Sequence, residues 1–430
     1  MRLYYQSQLT EQKLQALCAR STVDDQATQR TARRIIAAVK REGDRAVRRF
    51  SLQFDGVQRS SFAVPPEEIR QAMRAVPPAL KQAIRLAANN IRTFHRAQRP
   101  DTITVATAPG VVCRREARPI ERVGIYIPGG SAPLVSTVLM LGIPARLAGC
   151  RQIILCTPPQ KNGGVPSAIL YAARCCGINQ IFAVGGAQAI AALAYGTQTI
   201  PKVDKIFGPG NRYVTMAKLL VAADPTGAAI DLPAGPSEVL VIADGKANAA
   251  WVAADLLAQA EHSADARAIL VCPDKQKVKK VMVELNRQLA ILPRRQIAAA
   301  ALKQSFVLIT SNVEKAIAFA NFYAPEHLAL NIKNPRRWRA LVKNAGAVFL
   351  GVFSPVTAGD YASGANHTLP TAGAAKAWGG VSLENFLKFI TCQEITRPGL
   401  RALNKIIEPL TAAEELAGHQ RAIQIRLSGL

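Results

Sequence analysis

From Val111 onward, short apolar runs rich in β-branched residues alternate with helical stretches, and that alternation leaves the chain a narrow choice of folds. The runs fall at 123–127, 153–156, 181–184 and 203–207, then in a second series at 239–242, 268–272, 306–309 and 347–350. Between them lie helix-like segments such as 248–261. Strands separated by crossover helices form βαβ units, whose parallel strands need helices on both faces of the sheet. Two such series predict an α/β fold of two doubly wound, Rossmann-like lobes with mostly parallel sheets. A helical N-terminal region of three to four helices should precede them. There Ile35, Ile36, Val39, Val47 and Phe50 recur at helix spacing, and Pro77-Pro78 precedes a periodic stretch through Ile84, Leu86, Ala87 and Ile91. After about Gly380 the strands are expected to cease. Pro409 is placed to open an amphipathic helix over 410–427, a C-terminal helical arm that packs on its own lobe or on a partner subunit.

Length supports more than one lobe, because 430 residues exceed the size at which a single core stops growing. No segment reaches the ~20 apolar residues that span a bilayer, and the start has no apolar signal core, so no membrane association and a cytoplasmic location are expected. Eight cysteines lack CxxC spacing and several sit in apolar runs, which points to buried, reduced thiols. The formal charge of +25 would attract polyanions. Its cations are nevertheless spread in short pairs such as Arg33-Arg34 and Lys279-Lys280, without interleaved aromatics, so no specific nucleic-acid partner is expected.

Chemistry concentrates in a few polar phrases. The chain has five histidines, and four lie in the C-terminal half near acidic residues: Gln259-Ala260-Glu261-His262, Pro325-Glu326-His327, the stretch from Gly359-Asp360 to Asn366-His367, and His419 after Glu414-Glu415. Gln259 and His262 are three apart on a predicted helix and share a face, suited either to one metal or to a plain helix end. With Asp360 and His419 they would make an N/O donor set for Zn²⁺, Mn²⁺ or Co²⁺. Glu326-His327 reads either as two proton carriers or as a helix-to-strand turn with a surface acid and a partly buried imidazole. Gly-rich turns close three strand candidates: Ile127-Pro128-Gly129-Gly130, Val184-Gly185-Gly186-Ala187-Gln188 and Phe207-Gly208-Pro209-Gly210-Asn211. They suit a nucleotide at strand carboxyl ends, or simple connections; none is GxGxxG.

Taken together and in order, these phrases, with Gly124-Ile125-Tyr126-Ile127-Pro128-Gly129-Gly130-Ser131-Ala132-Pro133-Leu134 and Pro233-Ala234-Gly235-Pro236-Ser237-Glu238, resemble the histidinol dehydrogenase family over almost the whole chain. The resemblance implies NAD-dependent oxidation of L-histidinol to L-histidine through L-histidinaldehyde. It implies one Zn²⁺ per site on Gln259, His262, Asp360 and His419, holding the substrate's amine and imidazole. His327 would take the hydroxyl proton and Glu326 would activate water. Ser237, His367 and Glu414 would contact substrate together with the four metal ligands and His327, and Tyr126, Gln188 and Asn211 would contact NAD. The family's homodimer would place Glu414 and His419 in the neighbour's site; His95 is left as structural. The expected division is an N-terminal helical extension at 1–25, a larger α/β lobe of 26–129 plus 240–381 with the metal and catalytic residues, a second lobe at 130–239 for NAD, and a C-terminal arm at 382–430.

Three rivals stand against this reading. A relative acting on another polar alcohol, such as sulfopropanediol, is disfavoured by the joint presence of Glu326, His327, His367, Glu414 and His419. A metal hydrolase would leave the three Gly-rich turns unused, and a basic nucleic-acid binder would need selectivity beyond counterion release.

Overall fold

The computed structural model describes residues 1–20, 26–129, 133–232 and 235–429. Residues 21–25 of the expected N-terminal extension, Gly130-Ser131-Ala132 and Pro233-Ala234 of the motif series, and Leu430 lie outside the described residues. The strands in chain order are β1 (Arg2–Tyr5), β2 (Ile103–Ala108), β3 (Val111–Pro119), β4 (Arg122–Tyr126), β5 (Gln152–Thr157), β6 (Gln180–Ala183) and β7 (Lys205–Phe207). They continue with β8 (Ala229–Ile230), β9 (Glu238–Ala243), β10 (Arg267–Cys272), β11 (Phe306–Ile309), β12 (His327–Asn331), β13 (Ala347–Leu350) and β14 (Leu387–Ile395).

Two parallel sheets carry the architecture, as the alternation of runs requires. The six-stranded sheet has order β1-β11-β10-β9-β12-β13 and the five-stranded sheet β6-β5-β4-β7-β8. Each reverses its direction of growth once, between β9 and β12 and between β4 and β7. Side chains alternate strictly across the small sheet. Val123, Ile125, Leu155 and Phe207 fill one buried face, while Tyr126, Ile154, Cys156 and Ile206 fill the other. The large sheet does the same, with Val239, Val241 and Leu270 opposed to Leu240, Ile242 and Val271. A strand apolar on both faces has to be covered twice, and the helices between the strands do this.

Four helices between residues 26 and 96 complete the cover of the small sheet. Ile35 and Val39 of helix Gln26–Glu42 pack with Ile190 and Val221, and Ile84 and Ile91 of helix Pro78–Arg96 pack with Val138 and Leu141. Thus these helices pack mainly on the small sheet, while Asn90 donates to the Ala362 carbonyl and His95 lies 3.3 Å from Asn366, contacts toward the 240–381 segment that the sequence division grouped with them. Amphipathic helices show which face they bury; they do not show which sheet receives it.

Three further expectations differ from the structure. The extension at 1–25 is not wholly helical, because β1 pairs in parallel with β11, Arg2 opposite Phe306, and forms the edge of the large sheet. Strands do not end near Gly380: β14 lines up antiparallel with β3, Leu387 opposite Pro119, in a third sheet of order β14-β3-β2. Pro409 lies within helix Arg397–Ala413, and the break comes at Glu415, which takes φ 56°, before helix Ala417–Ser428. Of the cysteines, Cys113 and Cys175 are half-buried and Cys392 is exposed, the remaining five being buried. No helix among the described residues is long and apolar enough to cross a membrane.

At the switch between β4 and β7 two stretches of backbone approach closely. Gly208, at φ 120°, would bring an added Cβ within 2.1 Å of the Tyr126 carbonyl oxygen. A buried ion pair backs this turn: Lys218 Nζ donates to the Gly208 carbonyl at 2.8 Å and meets Asp231 Oδ1 at 2.5 Å, while Asp231 Oδ2 accepts from the Gly208 N–H at 2.7 Å. Gly208→Ala should therefore cost about 2–4 kcal/mol in urea unfolding, from left-handed strain plus collision with rigid backbone. Gly379→Ala, which meets nothing within 4 Å, should be near neutral, and equal midpoints for the two variants would contradict this account.

Candidate active site

Helix Val313–Tyr323 ends on Ala324, held at φ 53° as its left-handed cap, and the chain turns through Pro325 into β12. That turn delivers Glu326 and His327 to the amino edge of the large sheet, both buried. In the ladder His327 stands opposite Val239, so Glu238 lies just before the pairing begins. The Glu238 main chain is satisfied by side chains instead: its N–H donates to Glu326 Oε2 at 2.8 Å, and its carbonyl accepts from His327 Nδ1 at 3.2 Å. A carbonyl can only accept, so Nδ1 carries a proton and Nε2 is the nitrogen free for chemistry. Nε2 is buried without a hydrogen-bond partner and faces Asp360 Oδ1 at 3.5 Å, an ion-pair distance.

The electrostatics follow from this geometry. Burial raises the proton affinity of Glu326, against the pull of His327 at 3.4 Å. Burial also disfavours a charged His327, but the Glu326 carboxylate and Asp360 outweigh it and push the ring up to about 10. Asp360, in the last turn of helix Val356–Tyr361, is opposed by burial yet held below the usual carboxylate range by His327, His367 and His262.

Gln259 and His262 arrive from the other side of β9. Asn248 caps helix Ala249–Ala260 by accepting from the N–H groups of Ala250 and Trp251, and Val252, Leu256 and Ala260 bury its inner stripe. The helix runs back to the amino edge, so Gln259 lies in its last turn and His262 just beyond. Gln259 is buried with Nε2 unpaired, and His262 is exposed. Half-buried Ser237 precedes Glu238 on the same edge. Among the described residues, no three His, Cys, Asp or Glu side chains of the chain form a group able to hold a metal ion.

His367 links this edge to the small sheet. Its Nδ1 donates to the Asp360 carbonyl at 2.8 Å, and Nε2 lies 3.0 Å from Thr137 Oγ1, in the first turn of helix Val135–Ala148. Burial lowers its proton affinity, so the ring is neutral and Nε2 accepts from the hydroxyl. Next to it Asn366 Nδ2 donates to the Met140 carbonyl at 2.6 Å and lies 3.3 Å from His95 Nε2. His95 is buried and donates from Nδ1 to the Ile91 carbonyl at 2.9 Å, a packing role. The helix that His367 touches follows β4, whose carboxyl end carries Tyr126. The carboxyl edge of the small sheet and the amino edge of the large one are thus linked through His367.

Tyr126 and Gln188 are brought together by Gly186. The Gly186 N–H donates to the Tyr126 hydroxyl at 3.1 Å, and an added Cβ on Gly186 would fall 2.6 Å from Gln188 Oε1. Burial holds the Tyr126 phenol well above its usual range. Gln188 is 1% exposed, yet neither Oε1 nor Nε2 has a partner, an unusual state for a buried amide. Asn211 is exposed at the end of the neighbouring strand. Its Oδ1 is taken as helix cap by the N–H groups of Tyr213 and Val214, leaving only Nδ2 for a ligand.

Glu414 and His419 do not join the site within the chain. Both are exposed, and helix Ala417–Ser428 has no buried residue and packs on helix Arg397–Ala413. Sequence reasoning missed Glu238 and Thr137. Glu238 acts through its main chain, which no residue pattern reveals, and Thr137 is one small polar residue in an apolar helix.

The family model described as Histidinol dehydrogenase matches residues 18–427. The histidinol dehydrogenase of Bacteroides thetaiotaomicron is 52% identical over 400 residues, 93% of each chain. A putative histidine biosynthesis bifunctional protein HisCD of Photorhabdus laumondii is 51% identical over 93% of this chain, which spans only 49% of that longer protein. The crystal structure of histidinol dehydrogenase from Elizabethkingia anophelis superposes with a TM-score of 0.95 at 48% identity, covering 100% of this chain and 98% of that one.

The buried imidazolium makes stability depend on pH. Folding raises His327 from about 6.5 to about 10, so its contribution is complete below the lower value and is lost as pH rises through the upper one. Between pH 7 and pH 10 the wild-type protein should lose urea stability relative to His327→Gln. A difference between the two that stays constant across this window would count against the ion-pair geometry.

Proposed function

The chain belongs to the histidinol dehydrogenase family, and we propose that it oxidises L-histidinol to L-histidine through L-histidinaldehyde, reducing two NAD⁺ as the last step of histidine biosynthesis. The observation that carries this reading is the buried Glu326–His327 pair, with the ring turned so that Nε2 is left for proton transfer.

In the first half-reaction the substrate hydroxyl gives its proton to His327 Nε2 as hydride leaves the carbinol carbon. In the second, Glu326 takes a proton from the water that adds to the aldehyde while His327 returns its proton to the aldehyde oxygen, which leaves the ring free to accept again. The resulting hydrate loses a second hydride, its hydroxyl proton passing again to His327. Ser237, His367 and Glu414 position the substrate with the ligand set. Bound near Tyr126, Gln188 and Asn211, NAD⁺ supplies the hydride acceptor; the buried, unpaired Gln188 amide fits a polar ligand there.

Gln259, His262 and Asp360 offer an amide, an imidazole and a carboxylate held below its usual range, a set suited to zinc with His419 as the fourth member. Zn²⁺ held there would orient the substrate amine and imidazole and draw the Asp360 charge away from His327, easing deprotonation of the ring. The exposed positions of Glu414 and His419 are in keeping with a homodimer in which each arm completes the other subunit's site. Exposed Ile406, Leu410, Leu416 and Ile425 give the arm an apolar surface for that contact. We place the enzyme in the cytoplasm, on its biosynthetic role.

Purified, zinc-loaded protein should form two NADH per histidinol consumed; turnover of a different alcohol with none of histidinol would overturn the substrate assignment. Zinc removal should abolish turnover. His327→Asn should slow the first oxidation by about 10²–10⁴-fold, whereas Glu326→Gln should spare it relative to aldehyde oxidation. Equal losses at both steps would refute the division of roles. Mixing Glu326→Gln with His419→Asn subunits should restore one site in each mixed dimer that carries the reaction through to histidine, and failure to recover histidine formation would exclude the exchanged arm.

A further inference from the structure

Glu238 holds three hydrogen bonds with its carboxylate at a position where a strand in a parallel sheet ordinarily carries an aliphatic side chain. Arg20 approaches as a fork, Nε to Oε2 at 3.0 Å and Nη2 to Oε1 at 2.9 Å, and Tyr323 Oη donates to Oε2 at 2.9 Å. Arg20 is itself fixed: Nη2 also donates to the Tyr323 carbonyl at 2.8 Å, and the guanidinium lies 3.6 Å over the Tyr323 ring. The Arg20 and Glu238 side chains are 13% and 2% exposed. A buried pair of this kind gains little over well-packed apolar groups, because desolvation offsets most of the attraction. Fold stability alone does not account for it.

Position does. The residue whose carboxylate is clamped is the one whose N–H and carbonyl hold Glu326 and His327. It stands at the first position of β9. On one side the ladder with β10 has begun, the Arg267 N–H donating to the Ser237 carbonyl at 3.1 Å. On the side that faces the pair the ladder with β12 has not started, and there side chains take its place. We infer that Glu238 is a positioning residue for the proton-transfer pair, and that Arg20 and Tyr323, by clamping its side chain, set the directions of the peptide groups that aim Glu326 and His327. Tyr323 lies in the last turn of the helix that leads into Glu326, so one clamp fixes both strands at the site. This inference rests on the assignment of Glu326 and His327 as proton carriers.

The test is Arg20→Met in the full-length, zinc-loaded enzyme, with kcat and KM for histidinol measured beside the proton resonance of His327 Nδ1–H in ¹⁵N-histidine-labelled protein. That resonance is assigned by its loss in His327→Gln, and its slow exchange reports the bond to the Glu238 carbonyl. We expect kcat to fall about 10²-fold with KM changed less than about twofold, and the Nδ1–H signal to broaden or vanish. If Arg20→Met does not fold, judged by urea unfolding, Tyr323→Phe carries the test with one bond removed. It should lose about tenfold in kcat at constant KM. A folded variant with wild-type kcat and an unchanged Nδ1–H signal overturns the inference. Should the wild-type enzyme leave histidinol untouched, the functional reading fails instead. The resonance needs no substrate and then decides the positioning role alone.

Discussion

Strand β9 pairs with β12 so that Val239 faces His327, and this offset leaves the Glu238 peptide at the very edge where β12 begins. A polar main chain buried at that edge has to find partners, and Glu326 and His327 are the side chains within reach. The chemistry of the site thus grows from a backbone requirement. Moving the register by one residue would turn His327 to the opposite face of the sheet and remove both bonds together.

The same requirement explains an unusual placement. Ligands of open parallel sheets ordinarily sit outside the carboxyl ends of the strands, and Tyr126, Gln188 and Asn211 obey this in the small sheet. Glu326, His327 and Ser237 occupy the amino edge of the large sheet, and the returning helix Ala249–Ala260 brings Gln259 there as well. The two opposite edges are tied together because the segment around Asn366 and His367 bonds to Met140 and Thr137 on one side and to Asp360 on the other. The lobes are joined at the site itself.

The sequence made the central strands legible because their apolar runs are long and bounded by glycine or helix caps: the run at 239–242 became Glu238–Ala243 and that at 268–272 became Arg267–Cys272. Edge elements were harder. Arg2–Tyr5 is short and half-exposed, and Leu387–Ile395 is mostly exposed, so neither carries the apolar signature of a strand; each is stabilised by a neighbour distant in the chain. Among the candidate site residues, His367, Asp360 and Glu326 stand out in the sequence as side chains with chemistry of their own. Glu238 was not, since its contribution is a peptide group and a salt bridge to Arg20, 218 positions away. His419 marks another limit: it lies exposed on the arm, apart from the residues it was expected to join.

The buried Lys218–Asp231 pair has a consequence for how this chain can change over generations. Both partners hold the Gly208 turn, which Tyr126 abuts, and each is fully enclosed. Losing one partner strands a charge in the interior, and apolar groups at both positions would leave the Gly208 N–H and carbonyl without partners, so only another hydrogen-bonding pair can replace the two. The two positions are therefore tied as inherited traits: single substitutions at either meet a deep fitness valley. Lineages that cross it should carry paired exchanges, so that position 231 can be inferred from the residue found at 218.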